Sequence, residues 1–112
     1  MKKLDLAPGA PVLLYLHSPR EKVFGLLVAL ETAGVIVRGL DLLSLEDWMR
    51  QEARGETSGL GLVSVFYPMW RLERMERDES VGELEGLADR FHRLTGRRFV
   101  EEAGLGRRRK RA

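Results

Sequence analysis

Three strand-like segments follow one another closely in the first part of the chain, and this succession most restricts what the chain can fold into. In the segment 11–17, Val12, Leu14 and Leu16 alternate with a second set of side chains, which is typical of a β-strand. A second segment spans 22–31 and a third spans 35–43. Only the short turns "SPRE" and "TAG" separate them. The sequence therefore predicts a mainly β domain.

A short helix is predicted to follow the third strand. The segment "SLEDWMRQEAR" begins at Ser44, a residue type that caps helices, and Gly55 is placed to end it. The prediction is a helix over 44–54, inserted before a glycine-rich flexible loop over 55–61. Its apolar side would consist of Leu45, Trp48 and Met49.

The stretch "VFYPMWRLERME" predicts a fourth strand over 62–67, a tight turn and a fifth strand over 71–77. Pro68 has no N–H and so ends the ladder of the fourth strand. We expect Met69 and Trp70 to turn the corner and fill the core. Apolar residues three apart, Leu72 and Met75, would also point to the core, with Arg71, Glu73, Arg74 and Glu76 facing solvent. The alternative is that this stretch forms an exposed functional patch.

The last regular element is predicted as an amphipathic helix. Ser80, with Glu83 three residues later, matches a capping box, and Gly96 would end the helix. One helical face would carry Val81, Leu84, Leu87, Ala88, Phe91 and Leu94. The domain division that results is a small barrel over 1–79, a helix over 80–96 that packs on the barrel or a partner, and a flexible basic tail over 97–112.

Composition limits the class of protein. The chain has 112 residues, which suffices for one domain, and it has no cysteine, which excludes disulfides and thiolate metal sites. The longest uncharged apolar runs fall far short of the ~20 residues that span a bilayer. Asp5, Pro8 and Pro11 interrupt the apolar start of the chain, so a signal peptide is not expected. We therefore expect a cytoplasmic protein without membrane contact.

Charge is distributed unevenly along the chain. Residues 1–96 contain 12 Lys or Arg and 15 Asp or Glu, a balance of −3, whereas residues 97–112 contain 7 and 2, a balance of +5. Proteins that bind nucleic acid through their folded body usually carry the basic residues there. An acidic body disfavours that kind of binding, and the basic tail favours it.

The segments "PVLLYL" and "KVFGLLVALETAGVIVRG" resemble the first three strands of the Sm-like family, especially bacterial Hfq. The matching residues are the pair Tyr15-Leu16, Gly25 at the bend of the second strand and Arg38 at the end of the third. The segment "GLVSVFYPMWRLERME" is similar to the family's fourth strand, one-turn 3₁₀ connection and fifth strand. The resemblance covers residues 11–77. It implies a five-stranded SH3/Sm-like barrel, and rings in which the fourth and fifth strands of neighbouring copies pair.

The chain departs from the family at the residues that bind RNA. The resemblance implies RNA sites built from an aromatic near the turn between strands two and three and from a Lys-His pair at the fifth-strand corner. The turn here is Thr32-Ala33-Gly34, and the corner is Pro68-Met69. The amino-terminal helix of the family is also missing. Tyr15 is the one matching position that could stack on a base.

The sequence contains little that suggests catalysis. The carboxylates of Glu31, Asp41 and Asp78 fit strand ends or turns, and His92 fits the solvent side of a helix. His17 and Ser18 are adjacent, so on a strand they would point to opposite faces. No phosphate-binding loop of the usual pattern is present. We therefore expect no enzyme activity, no cofactor and no small-molecule substrate.

Three functions remain in view. The favoured one is a non-enzymatic interaction module that forms a homo-oligomer or binds a protein partner. The alternative is an Sm-like protein that binds RNA or another nucleic acid, and the third is a small enzyme or ligand-binding barrel. The predicted nucleic-acid contacts are Arg107, Arg108, Arg109, Lys110, Arg111, Arg38, Arg71, Arg74 and Tyr15.

Overall fold

Five antiparallel strands form one sheet in the computed structural model of the protein, which describes residues 6–55 and 61–103. The strands are β1 (Pro11–Leu16), β2 (Glu21–Leu30), β3 (Gly34–Asp41), β4 (Val63–Pro68) and β5 (Leu72–Arg77). The helices are α1 (Leu42–Ala53), α2 (Leu87–Thr95) and α3 (Phe99–Glu102), and a 3₁₀ turn (Met69–Arg71) joins β4 to β5. The order in the sheet is β4-β3-β2-β1-β5, so β4 and β5 are its edges and the sheet is not closed. The five strands and their sequence positions are confirmed within two residues.

One face of the sheet carries a hydrophobic cluster to which all five strands contribute. Strand β1 alternates buried and half-buried residues as its sequence predicts. Tyr67 of β4 and the pair Leu72 and Met75 of β5 are partly buried against the cluster, and burial raises the pKa of the Tyr67 hydroxyl. The expectation that Leu72 and Met75 point to the core is confirmed. The buried members are Ala10, Val12, Leu14, Leu16, Val23, Leu27, Val35 and Val37.

The other face of the sheet is covered by the three helices. Trp48 of α1 stacks on Phe91 of α2, with ring centroids 5.1 Å apart, and Phe99 of α3 lies 4.8 Å from Phe24 of β2. Residues 23–27 of β2 are all buried because this strand contributes to both clusters. The second cluster consists of Phe24, Leu26, Leu45, Trp48, Met49, Phe91, Phe99 and Ala103.

Helix α1 lies between β3 and β4 as predicted, but it begins earlier. Its N-cap is Asp41, whose Oδ1 accepts a hydrogen bond from the backbone N–H of Leu43 at 2.7 Å. Ser44, the predicted cap, lies inside the helix and donates its hydroxyl to Asp41 Oδ2. Aspartate at the end of β3 can satisfy the helix terminus directly, so the helix begins without a linker. The predicted apolar side, Leu45, Trp48 and Met49, is buried.

Gly25 of β2, the residue that was matched to the bend of the second strand, lies where β2 and β3 approach each other closely. The register between β2 and β3 is regular at Gly25, which pairs with Gly39, and it shifts instead between Leu27 and Ala29. A Cβ atom on Gly25 would lie 2.4 Å from the carbonyl oxygen of Arg38, and one on Gly39 would lie 2.0 Å from that of Phe24. The two glycines therefore allow β2 and β3 to approach more closely than side chains would permit.

The predicted helix over 80–96 is wrong in its first half. Helix α2 begins at Leu87, and residues 80–86 form a loop with an isolated bridge between Val81 and Leu84. The two carboxylate oxygens of Asp78 accept hydrogen bonds from the backbone N–H groups of Leu87 and Ala88, at 2.7 and 2.9 Å. The buried carboxylate of Asp78 thus accepts hydrogen bonds from the free N–H groups at the start of α2, although Asp78 lies well before the helix. The predicted end is confirmed at Gly96, which has a φ of 78°.

The prediction of a flexible tail is wrong for residues 97–103. Phe99, the first residue of α3, is buried among Phe24, Trp48 and Phe91. A four-residue helix gives almost no sequence signal, and tertiary contacts stabilise it. Residues 104–112, with the predicted contacts Arg107 to Arg111, lie outside the described residues, as does the loop over 56–60. No helix within the described part of the chain is long and apolar enough to cross a bilayer.

Candidate interaction surfaces

Arg38, a predicted nucleic-acid contact, is used within the fold. It lies on β3, and its Nε donates a 2.6 Å hydrogen bond to the carbonyl oxygen of Ala103. Its Nη1 is 3.4 Å from the Ser64 hydroxyl on β4. Arg38 thus attaches the end of α3 to the sheet.

Arg71 was predicted to face solvent, but its side chain is largely buried. Its guanidinium donates to the carbonyl oxygens of His17 and Pro19, at 2.9 and 2.7 Å, and pairs with Glu21 at 3.2 Å. The 3₁₀ turn directs this side chain toward the turn between β1 and β2. Arg71 therefore holds the 3₁₀ turn between β4 and β5 against the turn between β1 and β2.

Tyr15 and Arg74 are the two predicted contacts that the structure brings together. They are register partners on β1 and β5, and the Arg74 guanidinium carbon lies 4.4 Å from the Tyr15 ring centroid. Arg74 pairs with Glu76, which also accepts a 3.2 Å hydrogen bond from the Tyr15 hydroxyl. The cation–π contact and the ion pair occupy these groups. Arg38, Arg71 and this pair thus each have a different set of partners within the fold.

Trp70 is an exposed residue that the sequence prediction placed in the core. Its side chain is 63% exposed, and its ring packs edge-on against the exposed His17, with centroids 6.3 Å apart. Met69, its neighbour, is partly buried. In the 3₁₀ turn the strand alternation no longer applies, so neighbouring side chains do not simply alternate between core and solvent. The two-residue alternation of a strand therefore could not have predicted that Trp70 is exposed.

The His17–Trp70 corner is held in place by backbone contacts. The backbone N–H of His17 donates to the carbonyl oxygen of Arg71 at 3.0 Å, and the Met69 N–H donates to that of Ala33 at 2.8 Å. Ser18 has a φ of 60° and its hydroxyl lies 3.1 Å from His17 Nδ1. The corner therefore presents two aromatic rings on a well-supported turn.

The edge strand β4 exposes apolar side chains on both of its faces. Val63 is 54% exposed and Phe66 is 49% exposed, although they occupy positions of opposite parity along the strand. At the other edge, β5 carries the charged residues Glu73, Arg74 and Glu76 with Leu72 and Met75 turned inward. Both edges carry backbone groups that could pair with another strand.

A groove of about 490 Å³ runs between the sheet and the starts of α1 and α2. Its floor contains Leu13 and Tyr15 of β1 and Leu45 of α1. At its rim Glu46 pairs with Arg90, and the hydrogen bond from that arginine lowers the pKa of the Glu46 carboxyl. Glu85 pairs similarly with Arg93, which lowers the pKa of the Glu85 carboxyl. Two carboxylates of the rim thus have an arginine partner each.

Two of the three carboxylates considered as possible catalytic groups act as helix caps. Asp41 caps α1 and Asp78 caps α2. Within residues 6–55 and 61–103, no cluster of three or more His, Asp or Glu side chains could hold a metal ion. Comparison of the chain with protein families, with curated proteins and with solved structures yields no match.

Proposed function

We propose that the chain is a non-enzymatic small-barrel interaction module that self-associates by pairing β4 of one copy with β5 of the next. The observation that carries the proposal is an open sheet whose two edge strands, one of them exposing apolar side chains, are joined by a turn of only three residues. Pairing of unlike edges is head-to-tail, so it produces a ring when the rotation between copies closes.

Curvature of the sheet supports an open barrel. In a flat five-stranded sheet the edges would be about 19 Å apart, because neighbouring strands are spaced by about 4.8 Å. The 3₁₀ turn Met69–Arg71 joins β4 to β5, and at about 2 Å per residue it spans well under that distance. Tyr67 of β4 and Leu72 of β5 pack on the same cluster. The sheet order and this curvature agree with the Sm-like resemblance of residues 11–77.

Exposed groups at the β4 edge support strand pairing there. Val63 and Phe66 would be covered by a neighbouring strand, and burial of apolar area contributes about 25 cal/mol per Å². Leu72 and Met75 already face inward on β5, so a paired β4 would extend the cluster across the interface.

The test compares the association state of the wild-type chain with that of Val63→Lys, measured by light scattering coupled to size-exclusion chromatography. A lysine on an exposed edge disfavours strand pairing while leaving the core untouched. Val63→Thr keeps a β-branched side chain, and Leu30→Lys puts the same charge on another exposed apolar residue. We expect only Val63→Lys to break the strand-edge assembly into smaller species. A wild-type chain that is monomeric in the micromolar range would refute strand-edge association.

Nucleic-acid binding is the second candidate function, and the exposed Trp70 beside His17 favours it. Aromatic side chains that stack on bases contribute about 1–3 kcal/mol per base in single-strand binding proteins. The basic residues Arg107 to Arg111 would add phosphate contacts. Each such contact changes the salt dependence of single-strand binding by a slope of about 0.7.

Fluorescence anisotropy with a labelled single strand, at two salt concentrations, separates the contributions. Removal of residues 104–112 should reduce the salt slope if the tail binds phosphates, with little dependence on base sequence. Trp70→Ala should weaken binding at both salt concentrations if the corner stacks on bases. Absence of binding by the full chain would leave the interaction module as the function.

A further inference from the structure

A well-supported loop after β5 exposes two large apolar side chains. Val81 and Leu84 exchange backbone hydrogen bonds of 2.9 Å in both directions, and the Ser80 hydroxyl accepts from the Gly86 N–H at 2.9 Å. Asp78 fixes the end of the loop at the start of α2. Val81 is nevertheless 61% exposed and Leu84 is 76% exposed. The loop thus holds apolar groups toward solvent in one conformation.

A third exposed apolar side chain lies at the start of α1. Leu43 is 95% exposed and lines a groove of about 570 Å³ with Arg20, Glu21, Lys22, Asp41 and Leu42. This groove shares Lys22 and Leu42 with the groove between the sheet and the helices, which ends at Glu79, Glu85 and Gly86. The loop and Leu43 therefore lie at opposite ends of one continuous surface. We call this surface, which runs from Arg20 and Leu43 to the 79–86 loop, the groove face.

The two ends of the groove face differ in charge. At the loop end lie Glu79 and Glu83, together with Glu85, which pairs with Arg93. At the other end lie Arg20 and Lys22, and the charge of Glu21 is offset by Arg71. Asp41 is the remaining carboxylate there, and it caps α1. The face is thus acidic at one end and weakly basic at the other.

We propose that two copies of the chain associate through their groove faces about a two-fold axis. The Val81 and Leu84 side chains of each copy pack against Leu42 and Leu43 of the other copy. A two-fold axis sets the acidic end of each face against the basic end of its partner, so the same surface is complementary to itself. The hydrogen bonds that fix the loop reduce the entropy lost on docking.

This contact extends the proposed self-association and does not depend on strand pairing. Val63 and Phe66 lie on β4, whereas the groove face is formed by the β1–β2 turn, the start of α1 and the loop after β5. A ring held by strand edges could thereby join a second ring. In a chain without edge pairing the groove faces would form a dimer.

Sedimentation equilibrium of the full chain tests the contact when Leu84→Lys is compared with Leu30→Lys. The first change removes an apolar anchor, and the second places the same charge on an exposed leucine outside the groove face. We expect Leu84→Lys to raise the dissociation constant at least about tenfold, a change of about 1.4 kcal/mol. Equal effects of the two substitutions would overturn the proposal.

The same measurements in the Val63→Lys background separate this contact from strand-edge pairing. A dimer that survives Val63→Lys and dissociates with Leu84→Lys supports the groove face. If Val63→Lys alone produces monomers and Leu84→Lys has no effect, the groove face is overturned and strand-edge association stands. If Val63→Lys has no effect and Leu84→Lys produces monomers, strand-edge association fails and the groove face stands.

Disulfide formation provides a geometric test because the natural chain has no cysteine. In the Val63→Lys background, Leu84→Cys mixed with Leu43→Cys should form a heterodimer under mild oxidation, since linked Cα atoms must lie within about 7 Å. A variant that carries both Leu84→Cys and Leu43→Cys should form a covalent dimer rather than longer chains of linked copies. Cross-linking of Leu84→Cys to Leu43→Cys no faster than to Leu30→Cys would contradict the contact.

A charge exchange tests the orientation of the two copies. Lys22→Glu and Glu83→Lys should each weaken dimerisation, because each places like charges at the same contact. The double variant should recover affinity to within about twofold of the parent chain, as interacting residues do in a double-mutant cycle. Additive weakening in the double variant would refute the two-fold arrangement.

Discussion

Replacement of Phe99 by alanine should measure how firmly α3 is attached to the body. The ring lies 4.8 Å from Phe24, 5.6 Å from Phe91 and 6.0 Å from Trp48, measured between centroids. Truncation of a fully buried phenylalanine generally costs about 3–5 kcal/mol. Helix α3, however, has only four residues and cannot remain helical without packing.

The stability lost in Phe99→Ala therefore cannot exceed the free energy with which residues 97–103 dock on the rest of the domain. Arg38 binds the Ala103 carbonyl, and Arg97 bridges Glu52 and Glu102. Without the ring these exposed or half-exposed pairs contribute little. We expect α3 to detach and the free energy of unfolding to fall by about 2–3 kcal/mol. The loss is limited because a detached α3 does not leave a closed cavity in the core.

Guanidinium unfolding followed by tryptophan fluorescence gives the change in stability, with two further phenylalanines as controls. Phe91→Ala should cost about 3–5 kcal/mol, because Phe91 lies in the middle of α2 and cannot leave the core alone. Phe66→Ala, at a half-exposed position, should cost less than about 1 kcal/mol. Hydrogen exchange at the Ala103 amide, which donates to the Phe99 carbonyl, should accelerate in Phe99→Ala. A loss for Phe99→Ala as small as that for Phe66→Ala would refute the attachment of α3.

Three further outcomes are expected. Trp70→Ala should change the free energy of unfolding by less than about 1 kcal/mol, because the ring is mainly exposed, and a loss near 3 kcal/mol by denaturation would contradict that exposure. Gly39→Ala should destabilise by about 1–3 kcal/mol or prevent folding, since its Cβ would overlap the β2 backbone. Gly61→Ala, where nothing lies within 4 Å, is its control, and equal stability of the two variants would contradict the close strand approach. Arg90→Gln should raise the pKa of Glu46 toward the ordinary value of a glutamate carboxyl in an NMR titration, because the arginine hydrogen bond now lowers it. The ion pair therefore stabilises the fold above the ordinary carboxyl pKa, and this contribution is lost as the pH falls through the lowered value.

Local patterns in the sequence were sufficient to locate most of the regular elements. Two-residue alternation identified β1, and the short turns "SPRE" and "TAG" separated it from β2 and β3. The spacing of Leu45, Trp48 and Met49 identified the buried side of α1, and Gly96 marked the end of α2. These features depend on neighbours within a few residues, so the chain itself encodes them.

Contacts between distant residues decided what the local patterns could not. Asp78 caps α2 from nine residues away, and the helix begins at Leu87 rather than at the predicted Ser80. Arg71 appears in the sequence as an ordinary exposed charge, yet it binds the carbonyls of a turn more than 50 residues earlier. The amide groups of a helix start and the carbonyl groups of a turn need partners wherever the fold places them. The sequence determined the five strands, α1 and the end of α2. The tertiary structure determined where α2 begins, that α3 forms, which polar side chains complete these elements and which apolar ones remain exposed.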